Sequence, residues 1–180
     1  MQAILDAIEA GTLDARIGLV LSDHPDALIL ERARRHGIEA GVIDCEGFKT
    51  KFPEDSQRET ARRLKAAGVD LVCLAGFLRL VRRPLLEEFP ERILNIHPSL
   101  LPAFPGLESW KQAMEAGASE AGCTVHFVDE GMDTGPIILQ EAVPILADDT
   151  AASLHARIQV LEHRLYPEAI RKVACGIVRD

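Results

Sequence analysis

The stretch DLVCLA, residues 70–75, is apolar at every position after its opening aspartate. A strand with one wet face alternates apolar and polar residues, so an unbroken apolar run predicts a strand covered on both faces. Such a strand needs helices on either side, and helical patterns flank it. Residues 54–67 (EDSQRETARRLKAA) predict a charged helix stopped by Gly68, and a short helix near 84–88 leads to a strand over 92–97. Upstream, 16–22 (RIGLVLS) predicts a buried strand, 25–36 a helix with Asp23 as cap and Gly37 as stop, and 39–43 a second strand. Downstream come a helix near 109–115, a strand over 123–128 (CTVHFV) and a partner strand over 136–145 that can pair antiparallel with it. A long helix over 150–174 follows, with a break or bend expected near Pro167. The expected fold is α/β. It has a mostly parallel twisted sheet with helices on both faces, a C-terminal antiparallel hairpin element and a long terminal helix.

The bulk properties agree. A chain of 180 residues fits a single domain with a real core, and 47% hydrophobic with 27% charged residues describes a globular protein. A net charge of −8 opposes a general grip on nucleic acid, which needs clustered Lys and Arg, but leaves room for small anionic ligands. No apolar run is long enough to span a membrane and no secretory signal is visible, so the cytoplasm is the expected compartment. Cys45, Cys73, Cys123 and Cys175 form no Cys-x-x-Cys pair and read mainly as small buried thiols. With no His-x-x-x-His pair either, no metal site is expected.

Two segments carry chemistry beyond packing. In LNIHPSLLPAFPG, residues 94–106, Asn95 and His97 project from one face of a strand that Pro98 must terminate. An amide and an imidazole side by side at the carboxyl edge of the sheet, where open α/β folds hold ligands, can both donate to the oxygen of a tetrahedral intermediate. In DEGMDTGP, residues 129–136, Gly131 and Gly135 bracket Asp133 and allow a tight turn around it. A carboxylate presented there can orient His97, favour its charged form and pass protons. Taken singly, each pattern also has a plainer reading, a strand end and a turn. His126 reads as a satisfied structural residue, and His24, His36 and His155 as solvated surface.

Together with LERARRHGI, DLVCLAGFLRLV and LEHRLYP, these two segments resemble the formyltransferase family that uses 10-formyltetrahydrofolate, over most of the chain. Within that family the likeness is to the branch acting on glycinamide ribonucleotide in purine synthesis. The resemblance implies transfer of a formyl group from folate N10 to a primary amine, with Asn95, His97 and Asp133 as the catalytic trio. It implies a folate pocket made by Leu78, Arg79, Leu80 and Val81 on one side and Val128, Asp129, Glu130 and Gly131 on the other. It implies nucleotide contacts at Glu162, Pro98 and Gly106. No metal is expected. The partners are the two small molecules, and the working unit is a monomer or homodimer. A formyltetrahydrofolate hydrolase and a folate-binding remnant without turnover stay as alternatives.

The family pattern opens with a strand and a loop of the form Gly-x-Gly-Ser-Asn, whose backbone N–H groups hold the substrate phosphate. Here the helical pattern MQAILDAIEA starts at Met1. The expectation is a single domain over residues 1–180 that is N-terminally truncated, with a central strand and the phosphate loop missing. Glu108 and Trp110 stand where relatives often carry histidines, and neither Lys51 nor Arg58 is a clean counterpart of the phosphate-side arginine.

Overall fold

The computed structural model describes residues 1–48 and 50–176. Twelve elements follow in order: α1 (Gln2–Glu9), β1 (Val20–Ser22), α2 (Leu28–Arg35), β2 (Ala40–Val42), α3 (Glu54–Ala66), β3 (Val72–Leu74), α4 (Arg83–Glu88), β4 (Ile93–His97), α5 (Ser109–Glu115), β5 (Glu120–Phe127), β6 (Ile137–Pro144) and α6 (Ala151–Ala174). Every element expected from the sequence is present. The strands before β4 are shorter than their apolar runs.

Sheet pairing refines the expectation in two ways. The strands form two sheets, β1–β2 and β3–β4–β5–β6, with no ladder between β1 and β3. The β1–β2 and β3–β4 pairs are parallel, whereas β4–β5 and β5–β6 are antiparallel, so the fold is mixed rather than mostly parallel. Lacking a second neighbour, β3 is only partly buried along Val72–Leu74, although its apolar run predicted cover on both faces. Helices nonetheless flank the sheets. α1, α5 and α6 pack around Leu94, Cys123 and Val125, while α3 and α4 pack around Ile93 with Ile43, Leu64, Val81 and Phe89. α2 covers the small sheet through Leu30 and Ala33 against Val20.

α6 explains its own start and its anchoring. The Thr150 side chain accepts from the Ser153 N–H and Ser153 reciprocates, a capping box that fixes the first turn. The helix runs through Pro167 without the break that was one of the two outcomes expected there. Its buried Tyr166 hydroxyl donates to the Leu74 carbonyl at 2.6 Å and lies 3.1 Å from the Leu94 carbonyl, tying the helix to β3 and β4. Asp23 does not cap α2, which has no side-chain cap and starts after Ala27. Among the described residues no helix is long and apolar enough to cross a membrane.

Tyr166→Phe removes the only donor that reaches these two strand carbonyls from α6. The expected loss is about 1–3 kcal/mol in urea denaturation, with the fold retained. An unchanged midpoint would mean the hydroxyl adds nothing to the docking of α6.

Candidate active site

β4 and β5 pair antiparallel with Asn95 opposite His126 and His97 opposite Thr124. Side chains alternate along each strand, so these four share one face. The other face carries Leu94, Cys123 and Val125 into the core under α6. β6 adds a bulge opposite the Val125–His126 step, and the turn that joins β5 to β6, 128–136, folds back over the polar face.

That turn brings Asp133 to the strands. Its Oδ2 lies 3.5 Å from His97 Nδ1 and accepts from the Gly106 N–H at 3.1 Å, while its Oδ1 lies 3.7 Å from His126 Nε2. The backbone departs from expectation in one respect. Asp133 itself takes the left-handed conformation, φ 57°, which short polar side chains tolerate better than most. Gly135 matters for a different reason: a Cβ there would sit 1.9 Å from the Phe127 carbonyl oxygen. Asp129 closes the turn by accepting from the Gly131 N–H at 3.0 Å and the Thr134 hydroxyl at 2.7 Å.

The proline-rich segment after β4 is pinned beneath. Thr124 Oγ1 donates to the Ser99 carbonyl at 2.6 Å and accepts from the Leu101 N–H at 3.1 Å, while Ser109 Oγ donates to the Pro98 carbonyl at 2.7 Å. This holds the Phe104 carbonyl 3.2 Å from His97 Nε2. A carbonyl only accepts, so Nε2 carries a proton and Nδ1 faces Asp133. His97 is 6% exposed, so its ring works largely out of water.

His126, expected to be a satisfied structural residue, stands beside the trio. It is 2% exposed, and burial lowers its pKa, favouring the neutral ring. Its Nε2 lies 3.3 Å from Asn95 Nδ2. The signal that could have found it is a second Asx/Thr-x-His-like alternation, Thr124 and His126, on the strand facing Asn95 and His97. His155 is also more than solvated surface, because its ring stacks on Trp110 at 3.7 Å.

The residues expected to hold folate divide. Leu78 and Leu80 are exposed, at 71% and 41%, and offer apolar surface. Val81 points into the core with Leu85 and Phe89. The Arg79 guanidinium turns inward, donating to Asp23 Oδ2 at 2.6 Å and to the Phe48 and Lys51 carbonyls at 2.7 and 2.6 Å. Its charge is thus used between loops. Across from these residues, Val128 packs on the α3–α4 core, and Arg82 and Arg83 bind the Glu130 carbonyl and carboxylate. The two halves of the expected pocket are therefore tied together. A cleft of about 670 Å³ is lined by Asp23, Asp44, Phe48 and Arg79 among others and does not contain the trio. Convergent polar chemistry, rather than volume, locates the site.

Glu162 stands apart. It lies on α6 within electrostatic reach of Cys123, which belongs to the opposite sheet face from His126. Burial pushes its carboxyl up to about 7. Pro98 and Gly106 sit in the pinned loop, with Gly106 spending its N–H on Asp133. Among the described residues no three His, Cys, Asp or Glu side chains cluster as a metal site.

Glu162 makes stability pH-dependent with a definite sign. A carboxyl raised from 4.5 to about 7 binds its proton more tightly folded than unfolded. Its contribution is therefore present below pH 4.5 and lost as pH rises through about 7. Glu162→Gln is expected to raise Tm at pH 8 relative to the parent and to leave it nearly unchanged at pH 5. Gly135→Ala is expected to unseat the Asp133 turn and lower Tm, as read by melting curves.

Comparison with known proteins identifies the family. Residues 1–170 match the formyl transferase family. The chain is 49% identical over 178 residues to the trifunctional purine biosynthetic protein adenosine-3 of Drosophila melanogaster, covering 98% of this chain but 13% of that much longer protein. It is 40% identical over 172 residues to phosphoribosylglycinamide formyltransferase of Bacillus subtilis, covering 96% of this chain and 87% of the relative. Among solved structures, glycinamide ribonucleotide transformylase 1 of Symbiobacterium toebii superposes with a TM-score of 0.92 at 56% identity, covering 97% of this chain and 82% of that one. With that match spanning the strands, the turn and the loops that build the site, the chain belongs to the formyl transferase family.

Proposed function

We propose that the chain transfers a formyl group from 10-formyltetrahydrofolate to the primary amine of glycinamide ribonucleotide, a step of purine synthesis. The observation that carries this reading is the convergence of Asn95, His97 and Asp133 on one sheet edge, with the carboxylate 3.5 Å from the imidazole. The family membership and the names of the relatives support the same reaction.

The chemistry follows from the donors available. The amine nitrogen attacks the formyl carbon and forms a C–N bond, while the carbonyl π pair moves onto oxygen. That oxygen meets an Asn95 N–H and the Nδ1–H of charged His97, both held in a largely dry site. Asp133 balances the charge of His97 and takes the amine proton, directly or through one water. Collapse of the intermediate breaks the C–N10 bond, and the proton passes to N10 of the departing tetrahydrofolate. Exposed Leu78 and Leu80 supply apolar surface for the flat ring system of the donor. The 128–131 backbone stands opposite them. Glu162, whose carboxyl pKa is raised by burial, is the residue that the family resemblance offers to the ribose hydroxyls of the acceptor.

The proposal extends to a cytoplasmic location and to a monomer or homodimer as the working unit.

The test is formyl transfer measured with both substrates. Asn95→Ala and Asp133→Asn are each expected to lower kcat by about 10²-fold or more with little change in KM. Formate release without formylated product would favour a hydrolase, and folate binding without either product a non-catalytic remnant.

A further inference from the structure

Asn95 has an aiming problem that the proposed reaction leaves unsolved. A primary amide rotates about its terminal bond, and an oxygen facing the substrate would repel the oxyanion instead of stabilising it. Something must decide which end points where.

The surroundings of His126 decide it. His126 Nδ1 lies 2.7 Å from the Phe127 carbonyl oxygen, and a carbonyl only accepts, so Nδ1 carries the proton. In a buried, neutral ring the other nitrogen, Nε2, is then a bare acceptor. The Asn95 amide end 3.3 Å away must therefore be the NH₂ group, donating to Nε2. Asn95 thus spends one N–H on His126 and keeps the other for the site. The opposite orientation would set an amide oxygen against an imidazole lone pair.

We infer that His126 is a positioning residue that locks the Asn95 amide, with its Nδ1–H held by the Phe127 carbonyl and its Nε2 accepting from Asn95, so that the second Asn95 N–H faces the developing oxyanion. The inference rests on the proposed formyl transfer. The charged or titratable groups facing His126 are Asp133 and Asp129, which favour its protonation, and His97, which opposes it. Burial outweighs them. Were His126 protonated, Nε2–H would face the Asn95 donor and turn toward Asp133 Oδ1, 3.7 Å away, competing with His97 for the carboxylate.

Two substitutions separate this role from packing. In His126→Gln the terminal amide stands where Nε2 stood, and its oxygen can accept from Asn95. In His126→Asn the shorter amide reproduces the Nδ1 donor to Phe127 but leaves Asn95 unpartnered. The expected result is kcat within about threefold of the parent for His126→Gln and about 10²-fold lower for His126→Asn, the size of effect a small misplacement causes. KM for both substrates should be unchanged. In an Asn95→Ala background the His126→Asn change should have no further effect on kcat. The reverse order, or equal losses in both variants, overturns the inference, because either would mean that the bond to Phe127 or simple packing is what matters. If Asn95→Ala keeps full turnover, the catalytic reading fails and takes this role with it. If Asn95→Ala is inactive while His126→Asn is not, the lock alone fails.

A second measurement needs no turnover. Long-range ¹H–¹⁵N spectra of the unaltered protein at pH 8 should show His126 as the Nδ1–H tautomer. An Nε2–H tautomer would overturn the lock outright.

Discussion

The register between β4 and β5 is the constraint on which the site depends. Pairing Asn95 with His126 and His97 with Thr124 puts every polar partner on one face and Leu94, Cys123 and Val125 on the other. A one-residue slip of β4 would drive Asn95 and His97 under α6 and expose Leu94, and the same slip of β5 would bury Thr124 and His126 there instead. The hydrophobic pattern that stabilises the sheet therefore also specifies the chemistry. The bulge opposite Val125 and His126 and the close approach at Gly135 then aim the returning turn, so that Asp133 comes down on the same face.

A common device recurs within that face. Each imidazole has one nitrogen committed to a main-chain carbonyl, His97 to Phe104 and His126 to Phe127, and the opposite nitrogen is thereby assigned its role. Backbone carbonyls do not titrate or rotate. They fix a tautomer more firmly than another side chain would, and the carbonyl of Phe104 is itself held by the network through Ser99, Thr124 and Ser109. Preorganisation of this kind is what makes hydrogen-bond donors effective in a site with little water. The proline-rich stretch after β4 thus serves as the frame for one ring nitrogen rather than as a simple strand end.

Much of this was legible in the sequence because it is local. The period-2 spacing of Asn95 and His97, the stop at Pro98 and the glycine-flanked Asp133 all fall within short windows, and the structure brings those residues together. What was not legible depends on distant partners. His126 gains its role only through a strand pairing 31 residues away, and the sequence pointed to β5–β6 pairing but not to β4–β5. Arg79 reads as a ligand residue beside exposed leucines, yet its guanidinium is drawn inward by Asp23, 56 residues earlier. The apolar run at 70–75 predicts a fully covered strand, and burial fell short because cover depends on a neighbouring strand, which no local pattern reports. Asp133 took the left-handed conformation that its flanking glycines were expected to absorb, since close packing at Gly135 consumed their freedom in another way.

The proposed transfer requires a negative oxygen to form between Asn95 and His97. A crystal structure with a ketone analogue of the formyl donor, unable to transfer its carbon, addresses this directly. The ketone oxygen is expected about 3 Å from both Asn95 Nδ2 and His97 Nδ1, with Asp133 beside the attacking position. An analogue seated with its oxygen away from both donors, or bound instead in the cleft beside Asp44 and Phe48, would contradict it.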